Sequence, residues 1–178
     1  MKATGIVRRI DDLGRVVIPK EIRRTMRIRE GDPLEIFTGP NEEVVFKKYS
    51  PIGELSQFAS QYAEVMSRAC GFPVAIGDRD HVIAMAGESK KEFLERRLSP
   101  TIEKIMNDRK TAIAERGQGF LLAEDKDKHA MIVSPILSAG DVTGCVCILQ
   151  NEQGTAPKES EIKLAQVAAA FLGKQMEE

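Results

Sequence analysis

The first 50 residues read as four short strands and one short helix, too little chain to close a secure core alone. Gly5 to Ile10 alternates, with Ile6, Arg8 and Ile10 on one side and Val7 and Arg9 on the other, so this strand pattern carries arginine on both faces. Asp11-Asp12-Leu13-Gly14 is a turn, in which Gly14 is free to take positive φ. Arg15 to Ile18 is a second strand. Pro19 stops it and suits the first turn of a helix, where its missing N–H is not needed. Lys20 to Arg27 is that helix, with Ile22, Met26 and Ile28 on its apolar side. Glu30 to Pro33 turns the chain, and Leu34–Thr38 and Val44–Lys48 pair as a hairpin around Gly39-Pro40-Asn41-Glu42. Two copies that interleave their hairpins would bury Ile6, Ile10, Val16, Ile18, Leu34, Ile36, Val45 and Phe46 together. An obligate dimer is therefore expected.

Charge is concentrated in the same segment. Net charge over the whole chain is −1, yet Thr4 to Asp32 places eight basic residues in 29 positions. Residues 1–30 hold nine Lys/Arg against four Asp/Glu, and the remainder is acidic. A basic end on an acidic body points to an anionic partner at that end. DNA binding needs cations at phosphate spacing on a rigid scaffold, and the planar arginine fork suits phosphates and guanine edges. Arg8, Arg9, Arg15, Arg23 and Arg24 supply it, with Lys2 and Lys20 as adjuncts. A merely solvated polar face is the competing reading. No aromatic residue interleaves the arginines, which disfavours single-strand stacking and favours double-stranded DNA. No heptad or Cys/His finger spacing is present. A β-framed arginine surface of this kind reads groove shape and flexibility as much as base edges, so many related sites are expected rather than one strict operator.

Ser50-Pro51 marks the boundary between a domain over 1–50 and a second over 51–178; serine is a good N-cap and proline a good first helical residue. Leu55, Phe58, Tyr62, Val65 and Ala69 recur at three- and four-residue steps, predicting one helix over 51–70 that ends at Gly71. Strands follow at Pro73–Gly77 and His81–Ala86 around Asp78-Arg79-Asp80. Helices are expected over 92–97 and 100–108, and a loop with a short strand over Glu115–Glu124. Ala130–Leu137 and Thr143–Leu149 are two apolar strands joined by Ser138-Ala139-Gly140-Asp141, and Pro157–Met176 is a long helix. The second domain is thus α+β, one antiparallel sheet with flanking helices. The last helix carries Ile162, Ala165, Ala169, Leu172 and Met176 as one apolar stripe and Leu164, Val167 and Phe171 as another. A helix lying on one sheet needs a single apolar face, so one stripe is expected to pack on its own sheet and the other on a partner's helix, joining two dimers into a homotetramer that Leu172→Glu would split; both stripes buried within one subunit is the alternative.

Nothing in the chain assembles a catalytic centre. His81 and His129 stand without a cysteine or carboxylate at helical or strand spacing, and Asp125-Lys126-Asp127-Lys128 reads as a solvated loop rather than a metal site. No Walker, Rossmann or zinc pattern occurs. No enzyme activity, metal or cofactor is expected. Cys145 and Cys147 are two apart, without CxxC spacing, and read as buried small hydrophobes in a reducing compartment. No apolar run approaches the roughly 18 to 20 residues that cross a bilayer, and the start MKATGIVRR lacks the apolar core of a secretory signal. A cytoplasmic protein with no membrane partner is expected.

The stretch TGIVRRIDDLGRVVIPKEIRRTMRIREGDPLEIF closely resembles the AbrB-type swapped-hairpin family. The pattern is carried by Gly5, Val7, Arg8, Asp11, Leu13, Gly14, Arg15, Val16, Val17, Ile18, Pro19, Glu21 and Arg23. The resemblance implies a β-barrel of two interlocked chains that contacts DNA through arginines of both. Arg8, Arg15, Arg23 and Arg24 match the family's DNA-contacting arginines; Arg9 stands where relatives often carry lysine. The whole chain resembles those transition-state regulators of spore-forming bacilli that add a GAF-like second domain. That implies a nucleoid-associated activator and repressor of sporulation genes. A GAF-like sheet ordinarily holds a small molecule under its overlying loops, here expected between residues 72–87 and 110–135. The same domain kept only for assembly is the alternative. The Asn-Lys-x-Phe-Asp-Glu type motif of cyclic-nucleotide GAF domains is absent. The rival function is an antitoxin, since the same swapped-hairpin fold serves toxin-neutralising proteins. Those end in a disordered tail, whereas residues 51–178 are rich in periodic apolar positions.

Overall fold

The computed structural model describes residues 4–115 and 118–177; Lys2 and residues 116–117 of the expected 115–124 loop lie outside them. The chain divides into two compact units, Met1–Tyr49 and Ser50–Glu178.

In the first unit, α1 spans Lys20–Met26. Pro19 serves as its N-cap, and its carbonyl accepts the Arg23 N–H at 2.9 Å. Arg27 ends the helix in the left-handed region at φ 50°. A hairpin follows: β1 (Leu34–Gly39) pairs antiparallel with β2 (Glu43–Lys48), setting Ile36 opposite Phe46 and Phe37 opposite Val45. Lys48 ties the hairpin to the helix, because its Nζ donates to the Arg27 carbonyl at 3.1 Å and lies 3.7 Å from the Asp32 carboxylate. A cation there complements the carbonyl end of the helix.

The strands expected over 5–10 and 15–18 are not strands in the single chain. Around their turn run two backbone bonds of 3.0 Å, Asp11 N–H to Arg15 C=O and Gly14 N–H to Asp11 C=O. Extended backbone becomes a strand only beside a neighbouring ladder. The expected core is not closed within the one chain either. Among the described residues of this unit Pro19 alone is buried, while Val7 is 85% exposed, Ile36 62% and Val44 60%.

The second unit opens with α2 (Pro51–Glu54) and α3 (Ser56–Cys70), so the helix expected over 51–70 is broken at Leu55. Short i→i+3 bonds wind the first turn tightly: Gly53 N–H reaches Ser50 C=O at 2.9 Å and Leu55 N–H reaches Ile52 C=O at 3.2 Å. The Ser50 hydroxyl accepts the Gly53 N–H and donates to Asp78, and Gly71 closes α3 at φ 72°. The sheet is built from β3 (Val74–Gly77), β4 (Val82–Ala86), β5 (Ala112–Ile113), β6 (Phe120–Ala123), β7 (Lys126–Ser138) and β8 (Asp141–Leu149). Its order is β4-β3-β8-β7-β5, with β6 also on β7, and its pairs are antiparallel. Between the strands lie α4 (Lys90–Phe93) and α5 (Pro100–Asn107), and α6 (Glu159–Gln175) closes the chain.

Each face of the sheet has its own core. On one, Ile52, Ala63, Met66, Ile132, Ile148 and Leu172 bring α2, α3 and α6 against the strands. On the other, Met85, Leu98, Ile102, Met106, Leu122 and Val133 pack with α5. The helix α6 lies so close to β7 that a Cβ on Gly173 would stand 2.0 Å from the Leu137 carbonyl oxygen. The helix expected over 92–97 is displaced to α4. Glu95 takes φ 63°, and the following chain bonds along β4, Glu95 N–H to Val82 C=O and Val82 N–H to Arg96 C=O, both 2.9 Å. Asp125 to Lys128 is only in part the expected solvated loop: Asp125 sits in an exposed turn and Asp127 faces out, but Lys126 begins β7, Arg96 pairs with Asp125 at 2.8 Å, and Lys128 pairs with Glu88.

Candidate nucleic-acid interface

The six described candidates, Arg8, Arg9, Arg15, Lys20, Arg23 and Arg24, all belong to the first unit, and each is exposed. Two kinds of local structure carry them. Arg8, Arg9 and Arg15 stand on the arms either side of the Asp11–Gly14 turn. Lys20, Arg23 and Arg24 stand on α1, the latter two in its last turn, where cations complement the helix dipole.

Asp11 organises the turn. Its Oδ1 accepts the backbone N–H of Leu13 at 3.0 Å and of Arg15 at 2.8 Å. Its Oδ2 accepts from Arg15 Nε at 2.8 Å. The Arg15 side chain nonetheless stays 69% exposed. The Arg15 N–H and the Arg15 guanidinium, helped by the Leu13 N–H, hold the Asp11 carboxyl below the usual carboxylate range, against desolvation, which pushes it the other way. Sequence reasoning assigned Asp11 only to a turn. The signal was an aspartate followed three residues on by glycine and four on by arginine. Lys47 was missed as well: it is exposed, with Nζ 4.5 Å from the centre of the Phe37 ring.

The second unit offers different chemistry. Phe58, Tyr62 and Phe171 form an aromatic cluster across α3 and α6, with Tyr62 and Phe171 stacked at 5.6 Å. Beside it Val65 and Val167 are 63% and 62% exposed. Cys145 and Cys147 are fully buried with sulfurs 3.7 Å apart, and the hydrogen bond to Cys145, with burial, raises the Cys147 thiol well above its ordinary value. His129 is not without a carboxylate, since its Nδ1 lies 3.5 Å from Asp127 Oδ1 two residues away on the same strand. Among the described residues no group of three His, Cys, Asp or Glu is placed to hold a metal, and no helix is long and apolar enough to cross a membrane. A cleft of about 660 Å³ opens where α3 ends, lined by Ser67, Arg68, Phe72, Pro73 and Gly87 among others. The expected 72–87 segment contributes to it. None of the described residues of 110–135 lines it, and Leu122, Ala130 and Val133 among them are packed into the second core.

Known proteins resemble both units. Residues 7–53 match the family model described as antidote-toxin recognition MazE, bacterial antitoxin, and residues 54–177 match the stage V sporulation protein T C-terminal, transcription factor model. Stage V sporulation protein T of Bacillus subtilis is 49% identical over 180 residues, covering 100% of both chains. The transition state regulatory protein AbrB of the same organism is 59% identical over 51 residues, covering 29% of this chain and 52% of AbrB. In fold, the GAF domain of an Acinetobacter phosphoenolpyruvate-protein phosphotransferase matches 68% of this chain and 81% of its own, at 13% identity and a TM-score of 0.57. An AbrB-like first domain therefore precedes a GAF-type second domain, as expected of an α+β chain. Matched from end to end at that identity, and across the second domain by its own model, the chain belongs to the stage V sporulation protein T family of transcription factors.

Proposed function

We propose that this protein regulates sporulation genes, as activator and repressor, by binding double-stranded DNA through an arginine surface built by two chains. Arg8, Arg15, Arg23 and Arg24 are its principal contacts, Arg9 is a fifth, and Lys2 and Lys20 are adjuncts. The single observation that carries the reading is the first unit itself: an exposed basic array on a segment whose apolar residues are left uncovered in one protomer. A second copy of the segment would complete its core and double the array. Such a regulator acts in the cytoplasm, at the nucleoid. With roughly six to ten phosphate contacts, affinity falls on the order of 10³-fold or more between about 50 and 200 mM salt. Replacing Arg15→Ala or Arg23→Ala flattens that slope by about one unit. Two dimeric variants that bind like wild type would sink the assignment.

The uncovered surface on α3 and α6 supports a second association, of dimers into a tetramer. Val65, Val167 and Phe171 are the exposed anchors for it. A tetramer presents two DNA modules, and the tether raises affinity for paired sites by about 10² or more.

The antitoxin reading has one observation in its favour, the match of residues 7–53 to the MazE model. Against it stands the segment where such a protein carries a toxin-wrapping tail. Here that segment is a folded domain with two hydrophobic cores.

A further inference from the structure

The contacts of Asp11 exceed what a turn residue needs. Two backbone N–H groups, of Leu13 and Arg15, already satisfy Oδ1 and close the turn. The remaining oxygen is given to Arg15, and it is given to Nε, at 2.8 Å. Engaging Nε fixes the plane of the guanidinium while the terminal nitrogens lie outside that pair, and those are the ones that fork onto a guanine edge or a phosphate. A flexible arginine would lose several rotamers on reaching DNA, whereas one already held loses fewer. There is also a cost: a carboxylate beside the DNA surface repels phosphates and weakens binding to any sequence. A residue that only closed a turn would do so as asparagine without that repulsion.

Resting on the arginine-surface reading, we propose that Asp11 is a positioning residue that sets sequence discrimination: it holds Arg15 by its Nε edge so that the guanidinium meets DNA in one orientation. General affinity is the lesser part of its effect. Arginine gains selectivity from a fixed fork, and phosphate attraction alone carries none.

The test uses the intact chain and two duplexes, one selected from a random pool by the wild-type protein and one of mixed sequence. The quantity read is the ratio of their dissociation constants. Asp11→Asn keeps an oxygen acceptor for the two backbone N–H groups and removes the charge. Its discrimination ratio falls by about tenfold or more, while mixed-sequence DNA is held about twofold more tightly as a carboxylate leaves the surface. In an Arg15→Ala background the same substitution changes the ratio no further, because the residue acts through Arg15. Arg15→Lys, which keeps the charge and loses Nε, lowers the ratio as Asp11→Asn does. A purely structural role would move melting temperature and leave the two substitutions additive. An unchanged ratio in Asp11→Asn, or full additivity with Arg15→Ala, overturns the proposal and spares the arginine surface. Wild-type protein that binds neither duplex overturns both.

Discussion

Cys145 and Cys147 show how little a residue's identity says about its chemistry until its surroundings are known. Two thiols with sulfurs 3.7 Å apart could suggest a redox pair, but both are fully buried and the Cys147 thiol is pushed well up. Burial shuts both away from a disulfide reagent, and the raised Cys147 thiol is further from the reactive thiolate, so neither reacts while the domain stays folded. Cys70 is half-buried, and burial raises its thiol more mildly. A thiol-reactive dye at about pH 8 should label Cys70 slowly in the native chain, and label Cys145 and Cys147 only with unfolding; rapid labelling of all three would contradict this placement. The alternation of Thr143–Leu149 had put both cysteines on one strand face, so their burial was legible. The arginines were legible as chemical types in a rare density. Asp11's grip on Arg15 was not, because sequence spacing gives a neighbour's distance along the chain and not which oxygen meets which nitrogen.

At the scale of elements, α6 corrects the expectation that Leu172 belongs to the partner-facing stripe. Leu172 is fully buried in its own domain, along with Ala165 and Ala168, and Gly173 lets the helix settle onto β7. Leu164 is half-buried, and the outward residues are Val167, 62% exposed, and Phe171, 41% exposed. Two apolar stripes were correctly legible, but periodicity cannot tell which one the sheet takes. The small residues decide it, since close packing needs Ala and Gly where strands press against the helix. Leu172→Glu therefore destabilises the domain, by about 3–5 kcal/mol, rather than splitting the assembly cleanly. Phe171→Glu costs the domain the ring contacts with Phe58 and Tyr62, less than Leu172→Glu costs it, and halves the mass seen in light scattering, from tetramer to dimer. A tetrameric Phe171→Glu protein would remove this face from the assembly. Elsewhere the misread elements share one cause. Residues 92–97 were read as a helix, and the bonds of Glu95 and Arg96 to Val82 on β4 overrode it. The arms at 5–10 and 15–18 were read as strands from alternation, and alternation says nothing of where the ladder partner comes from.

Over the whole molecule, the two units have opposite relations to burial. The second buries most of its apolar residues within one chain, on both faces of a sheet, and leaves Val65, Val167 and Phe171 outward. The first satisfies almost none, so its fold was legible as a pattern of elements but not as a closed object. On the proposed reading, a 49-residue unit with Pro19 as the buried residue among those described gains its stable fold only with a second copy, so the DNA surface and the dimer would form together. That coupling is the central claim, and a mixed-label sample tests it most directly. Methyl-labelled chains are refolded with unlabelled, fully protonated ones, and nuclear Overhauser contacts between the two populations are recorded. The account predicts interchain contacts linking Ile6, Ile10 and Val16 of one copy to Leu34, Ile36 and Phe46 of the other. Contacts among these residues confined to single chains would contradict it.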